Sequence, residues 1–196
     1  MITMLKGYIP TKGKIPTESI KGRTSFYHLD ELKHLESYGG VLKDDVILVD
    51  CDNKDESEIL YKIIQDLDIK CNVIQTDRGK HFYFKNADVK SNKIGNQCPL
   101  SFTLDYKLGS RNTVVPLKIN GAERKWLRET DTMDLLPIWL IPIGKNIIDF
   151  TSMGEGDGRN QALFNYILKL QSEGLSKEEI RETIKLINDY VLKKPL

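Results

Sequence analysis

The run VILVDCDN, residues 46–53, constrains this chain more than any other stretch. Four consecutive β-favouring apolar residues end in two aspartates at alternate positions, Asp50 and Asp52. A strand projects residues i and i+2 from one face, so both carboxylates point the same way, about 6–7 Å apart. Two unit charges at that distance repel by about 2–3 kcal/mol at an effective dielectric near 20. A fold accepts such a pair beside its core when something cationic sits between them, either a divalent metal or a Lys/Arg clamp. The same repulsion implies that replacing an aspartate by alanine leaves thermal stability equal or higher.

The charge distribution bears on partners. Net charge is only +1, which argues against a molecule-wide field for nucleic acid, but the basic residues are uneven. Lys6, Lys12, Lys14, Lys21 and Arg23 face a single acid, Glu18, before residue 24. Lys107, Arg111, Lys118, Arg124, Lys125 and Arg128 face only Asp105 and Glu123 between 105 and 128. Such local stripes bind phosphates, or serve as solvated surface. Cys51, Cys71 and Cys98 are odd in number and widely spaced, with no C-x-x-C, which argues against a zinc ribbon or disulfide scaffold and for a reducing compartment. No signal-peptide core and no membrane-length apolar run is present, so a cytoplasmic location without membrane contact is expected.

The first forty residues read as a leading segment with one short helix, carrying Leu29, Leu32 and Leu35 on a stripe and ended by Gly39-Gly40. Residues 46–49, apolar on both faces, predict a central parallel strand. Asp55 with Glu58 resembles a capping box that opens a helix with Ile59, Leu60, Ile63, Ile64 and Leu67 on one face. Residues 72–76, an Asp77-Arg78-Gly79 turn and residues 80–84 predict a hairpin, making a right-handed β-α-β unit with an antiparallel partner. Residues 102–107 alternate as a strand, and 113–116 follow a Gly109-Ser110 turn as another. Pro137 and Pro142 permit little regular helix in 135–143.

MGEGDGRN then reads as a linker. Beyond it, Ala162, Leu163, Tyr166, Ile167 and Leu170 predict a helix ended by Gly174. A Ser176/Glu179 capping box opens another with Ile180, Ile184, Ile187 and Val191. The expected division is a catalytic domain over 1–148, a linker over 149–159 and a helical hairpin over 160–196, as the front part of a longer protein. Two such helices have too little core to stand alone.

Strand parity puts Asp50, Asp52, His81, Tyr83, Thr103, Asp105 and Lys107 on polar faces, opposite Ile47, Val49, Phe82, Phe84, Phe102, Leu104 and Tyr106. Helices are expected to cover the apolar set and the polar set to line an open groove. Three carboxylates with a histidine and several cations on one sheet face suit divalent-metal and polyphosphate chemistry. Singly, an Asp-x-Asp pair also serves as a turn or salt-bridge partner, and His81 as a structural histidine.

These residues resemble the archaeo-eukaryotic primase superfamily, specifically the primase-polymerase domains of phages and plasmids. VILVDCDN resembles its first acidic motif, TDRGKHFYF its glycine-x-histidine motif, where Gly79 stands at a position often held by serine, and LDYK its third motif. GSRNTVVPLKINGAERKW is similar to the trailing segment and YIPTKGKIPTE to the opening one. GDGRNQALFNYILKLQSEGLSKEEI is similar to the start of the helical module that follows such domains.

The resemblance implies an α+β fold, an RRM-like or ferredoxin-like catalytic sheet with helices on one face and a small helical C-terminal appendage. It implies a DNA primase and polymerase, a nucleotidyltransferase of phage or plasmid replication in the host cytoplasm. Asp50, Asp52 and Asp105 would hold two Mg²⁺ or Mn²⁺ ions, and His81 would contact phosphates of the incoming nucleotide. Lys80, Arg78, Lys107 and Arg111 would bind the triphosphate of a dNTP or NTP, and Lys12, Lys14, Lys118, Arg124 and Lys125 the single-stranded DNA template with its primer. A helicase domain in the full-length protein is a further implied partner. A single-stranded nucleic-acid-binding module without chemistry and a metal-dependent nuclease are the alternatives.

Overall fold

The computed structural model describes residues 4–153 and 158–193. The fold is α+β, with one six-stranded and one five-stranded sheet, both antiparallel throughout. In the six-stranded sheet, β4 (Val46–Cys51) lies between β6 (Lys80–Lys85) and β8 (Thr103–Leu108), antiparallel to both. Its other members are β5 (Asn72–Gln75) beside β6, β7 (Lys93–Gln97) beside β8, and β11 (Trp126–Arg128) beside β5.

The expectation of a parallel strand at 46–49 is therefore corrected. Helix α2 (Lys54–Asp66) carries the chain from β4 to β5, but β6 folds back between them, so β4 has no parallel neighbour. Its apolar character on both faces has another cause. Ile47, Val49 and Cys51 pack with Leu60, Ile63 and Ile64 of α2, while Val46 and Leu48 pack with Leu5, Leu42, Val115 and Leu117 of the second sheet. A strand enclosed between two layers reads like a parallel one.

Of the second sheet, only the strand expected at 113–116 is legible in the sequence. The leading segment is largely strand: β1 (Leu5–Lys12) pairs with the short β2 (Ile15–Pro16) and with β3 (Tyr38–Leu42), and β9 (Val114–Ile119) and β10 (Ala122–Glu123) complete the order. Gly39 and Gly40 do not stop a helix; they lie inside β3. A Cβ at Gly39 would meet the Val114 side chain at 2.6 Å, and one at Gly40 the Leu5 side chain at 2.7 Å. Helix α1 is a single turn, Leu29–Leu32, with only Leu32 buried.

Asn53, not Asp55, caps α2, its side chain accepting from the Asp55 and Glu56 amides. Leu67, expected on the buried face, is the C-terminal cap residue and is exposed. The Ser176/Glu179 capping box forms as expected and opens α4 (Lys177–Leu186). The helix before it, α3 (Arg159–Ser172), ends just before Gly174, which has φ +90.

The expected hairpin is the outer layer of the main core. Leu163, Tyr166, Leu170, Ile180, Ile187 and Val191 join one buried cluster with Val49, Phe82 and Phe150. Tyr166 stacks edge-on against Phe150 at 5.1 Å and donates its hydroxyl to the Pro99 carbonyl at 3.0 Å. Of the linker predicted over 149–159, residues 154–157 lie outside the described residues, as do 194–196. Among the described residues no helix is long and apolar enough to cross a membrane.

At the start of α2, Glu56 accepts from the Thr103 amide at 3.3 Å. Burial, with the charge of Asp149 adding to it, pushes its carboxyl up to about 7 from an ordinary 4.5. The folded protein then binds this proton more tightly than the unfolded chain, so stability falls as pH rises from 4.5 to about 7. Glu56→Gln is expected to raise the melting temperature at pH 8 and change it little at pH 4, as read by thermal denaturation at both values.

Candidate active site

The three sequence motifs meet on one cross-strand row. Asp50 on β4 is the register partner of His81 on β6 and of Asp105 on β8. Directly opposed residues of an antiparallel pair project to the same face, with Cβ atoms about 4.5–5.5 Å apart. On that face Val46 and Leu48 are covered by the second sheet, while Asp50, nearer the C-terminal end of β4, lines a cleft of about 510 Å³. The expected open groove is thus a cleft between two sheets. Asp50, Asp52, His81 and Lys107 line it from the six-stranded sheet, and Val114 and Pro116 from β9. Lys14, Arg124 and the Thr76-Asp77-Arg78 turn lie at its edges.

The hairpin turn crosses closely over the end of β4. A Cβ at Gly79 would lie 2.0 Å from the Cys51 carbonyl oxygen, so this backbone excludes serine there. The approach brings Arg78 Nη2 within 2.5 Å of Asp52 Oδ2, with both side chains substantially exposed.

Asp50 is 8% exposed. Lys107 Nζ donates to its Oδ2 at 2.8 Å. His81 Nε2 lies 3.3 Å from Oδ1 but out of line, leaving Oδ1 buried without a hydrogen-bond partner. Burial is the largest single influence on this carboxyl and pushes it up. His81 and Lys107 together outweigh that and hold it well below the usual carboxylate range. Burial in turn lowers His81, against the pull of Asp50, and Arg124 and Lys107 lower it further. The site thus combines a buried anion with a neutral imidazole.

The expected cluster of three carboxylates does not assemble. Among the described residues no group of three or more His, Cys, Asp or Glu is placed to hold a metal ion. Asp105 stands beside Asp50 in register, yet its Oδ1 accepts from the Gly95 amide at 2.8 Å. The cause is the register break in β7, where Gly95 adopts φ +60 and turns its N–H toward β8. The positive charge at Asp50 and Asp52 is a Lys107/Arg78 clamp. Two acids on one cleft wall, one with a buried orphan oxygen, still form a donor set that fits a hard divalent cation.

Lys80 is corrected. Strand alternation that aims His81 at the cleft aims Lys80 at the helix layer, where it is 1% exposed, pairs with Glu58 and lies over the Tyr61 ring. Arg111 sits exposed in a short 3₁₀ turn (Gly109–Arg111) and does not line the cleft. Of the residues expected on the template, Lys14, Arg124 and Lys125 line a groove continuous with the cleft through Thr76 and Asp77. Lys118 donates to the Lys33 carbonyl at 3.1 Å, toward α1, and Lys12 is exposed at the end of β1.

Tyr83, expected on the open face, is fully buried in the core between the sheets, its hydroxyl 3.0 Å from His81 Nδ1. Its position two residues after His81 was the available signal. Thr76 and Asp77, within the TDRGKHFYF motif, and Val114 and Pro116, within the strand expected at 113–116, also line the cleft, where tertiary pairing brings them together.

The depressed carboxyl of Asp50 argues against the expectation that its removal is neutral or stabilising, since His81 and Lys107 favour its charged form. Asp50→Ala is expected to lower stability by about 1–3 kcal/mol at pH 7 in urea denaturation, the scale of a charged hydrogen bond. That contribution fades as pH falls below the ordinary carboxyl value of 3.8. Compared with known proteins, the chain matches no family model and no curated protein.

Proposed function

We propose that this chain is a DNA primase-polymerase domain, transferring nucleotides onto a strand paired to single-stranded DNA. The observation that carries the reading is the register row His81–Asp50–Asp105, whose first two members line a cleft together with four cations. Lys14, Arg78, Lys107 and Arg124 line that cleft against Asp50, Asp52 and Asp77. That balance suits a polyphosphate arriving with divalent cations. Asp50 and Asp52 would hold Mg²⁺ or Mn²⁺, with Asp105 beside Asp50 in register but bonded to the Gly95 amide. Such an ion supplies activation of a 3′-hydroxyl and neutralises charge on departing pyrophosphate.

The chain's own residues do the rest. Lys107 and Arg78, now paired with the two carboxylates, are the cations that a dNTP or NTP triphosphate tail draws to itself. His81 presents its ring to the same space. Val114 and Pro116 form an apolar wall against which a base or sugar rests. The groove through Lys14, Arg124 and Lys125 gives the template backbone a basic edge. A replication role in the cytoplasm, with a helicase elsewhere in a longer protein, accords with this reading. The binding-module alternative loses its support, because Tyr83, the aromatic expected to stack bases, is buried between the sheets.

A labelled primer on a single-stranded template, incubated with dNTPs or NTPs and Mg²⁺ or Mn²⁺, tests the proposal. Extension is expected, with losses of at least about 100-fold in Asp50→Asn and Asp52→Asn. Shortening of the labelled strand without nucleotides would establish a nuclease instead. Extension that survives the double aspartate replacement would refute the assignment.

A further inference from the structure

Two donors converge on one ring nitrogen of His81. The Tyr83 hydroxyl is 3.0 Å from Nδ1, and Arg124 Nη1 lies 3.4 Å from the same atom in hydrogen-bonding geometry. A guanidinium only donates, so Nδ1 must present its lone pair, and the Tyr83 O–H must donate to it as well. A hydrogen on Nδ1 would set two N–H groups against each other. The ring proton is then on Nε2, the nitrogen 3.3 Å from the orphan Oδ1 of Asp50, in a ring that lines the cleft.

We propose that Tyr83 and Arg124 are positioning residues that lock His81 in its Nε2–H tautomer, so that the imidazole meets the nucleotide as a fixed hydrogen-bond donor. The lock is rigid where it must be. Tyr83 is fully buried, packs edge-on to the His81 ring at 6.0 Å, and belongs to the core between the two sheets. Arg124 reaches Nδ1 from the segment joining β10 to β11, which ties the imidazole to the part of the chain that borders the second groove. A triphosphate oxygen accepts and cannot donate, so it is recognised by the Nε2–H form and rejected by the other. The catalytic consequence rests on the polymerase reading; the tautomer does not.

Long-range ¹H–¹⁵N spectra of the intact protein decide the tautomer. His28 and His34 are exposed and His81 buried, so the three rings separate by their environments. The expected His81 pattern is a protonated Nε2 and a bare Nδ1. In Tyr83→Phe, which keeps the buried ring, a mixture of tautomers is expected, with dATP affinity, titrated with Mn²⁺ present, weaker by about 10-fold, the scale of one hydrogen bond. Arg124→Lys, which keeps a donor, should preserve the pattern, whereas Arg124→Met should shift it. A protonated Nδ1 in the unaltered protein, or a Tyr83→Phe protein with unchanged spectrum and unchanged dATP affinity, overturns the proposal. A locked tautomer in a protein that extends no primer would leave this inference standing and remove the polymerase assignment instead.

Discussion

A carboxylate held almost out of water at the junction of two sheets governs this structure. Burying Asp50 without partners would cost several kcal/mol, and the chain offsets that cost chiefly with Lys107 from β8, while the imidazole from β6 stands 3.3 Å from the other oxygen. Both strands must flank β4 in one register for those groups to arrive. A slip of one residue would turn Asp50 into the helix-facing core and expose Ile47 and Val49 to the cleft, so apolar burial and charge compensation select the same pairing.

The second sheet turns that pairing into a site. It covers the lower part of the face at Val46, Leu48 and Tyr83, and stops short of Asp50. Within that sheet, Gly39 and Gly40 let β3 pack closely between β9 and β1, where a Cβ would collide with Val114 and Leu5. The same layer supplies the apolar wall at Val114 and Pro116 and, through the turn after β1, Lys14. An open sheet with the same acids would let water reach the row from the front. Partial enclosure between the sheets strengthens each charge interaction in the cleft.

Much of the six-stranded sheet was legible in the sequence because its signals are local. The apolar run of β4, the hairpin at 72–84, the alternation of 102–107 and the Ser176/Glu179 box each lie within a few residues. What escaped depends on partners far away in the chain. β1 contains Gly7 and Pro10, and β3 contains two glycines, so neither has a strand-like composition; each is a strand because the other and β9 pair with it. Asp105 was placed on the right face, but its bond to Gly95 comes from a register break in β7 that alternation cannot foretell. Lys80 is a different kind of miss, since the period-two rule that selected His81 already assigned its neighbour to the helix side.

The two answers to the Asp50/Asp52 repulsion, a metal or a cationic clamp, are compatible in this site. Lys80 is the contrast: a lysine 1% exposed, enclosed against α2 and paired with Glu58. The clamp is built differently. Its members reach the acids on long side chains that stay in contact with water, 37% exposed for Lys107 and 73% for Arg78. Releasing Arg78 costs little, because it and Asp52 are both rehydrated, whereas releasing Lys107 from the buried Asp50 requires another cation to take its place. The acids are thus neutralised at rest by cations that can transfer to an anion arriving with a divalent cation. His81, its Nδ1 engaged from behind by Tyr83 and Arg124, stays where it is. On the proposed reading, a fixed donor flanked by exchangeable cations would suit the uptake and release of a highly charged phosphate chain.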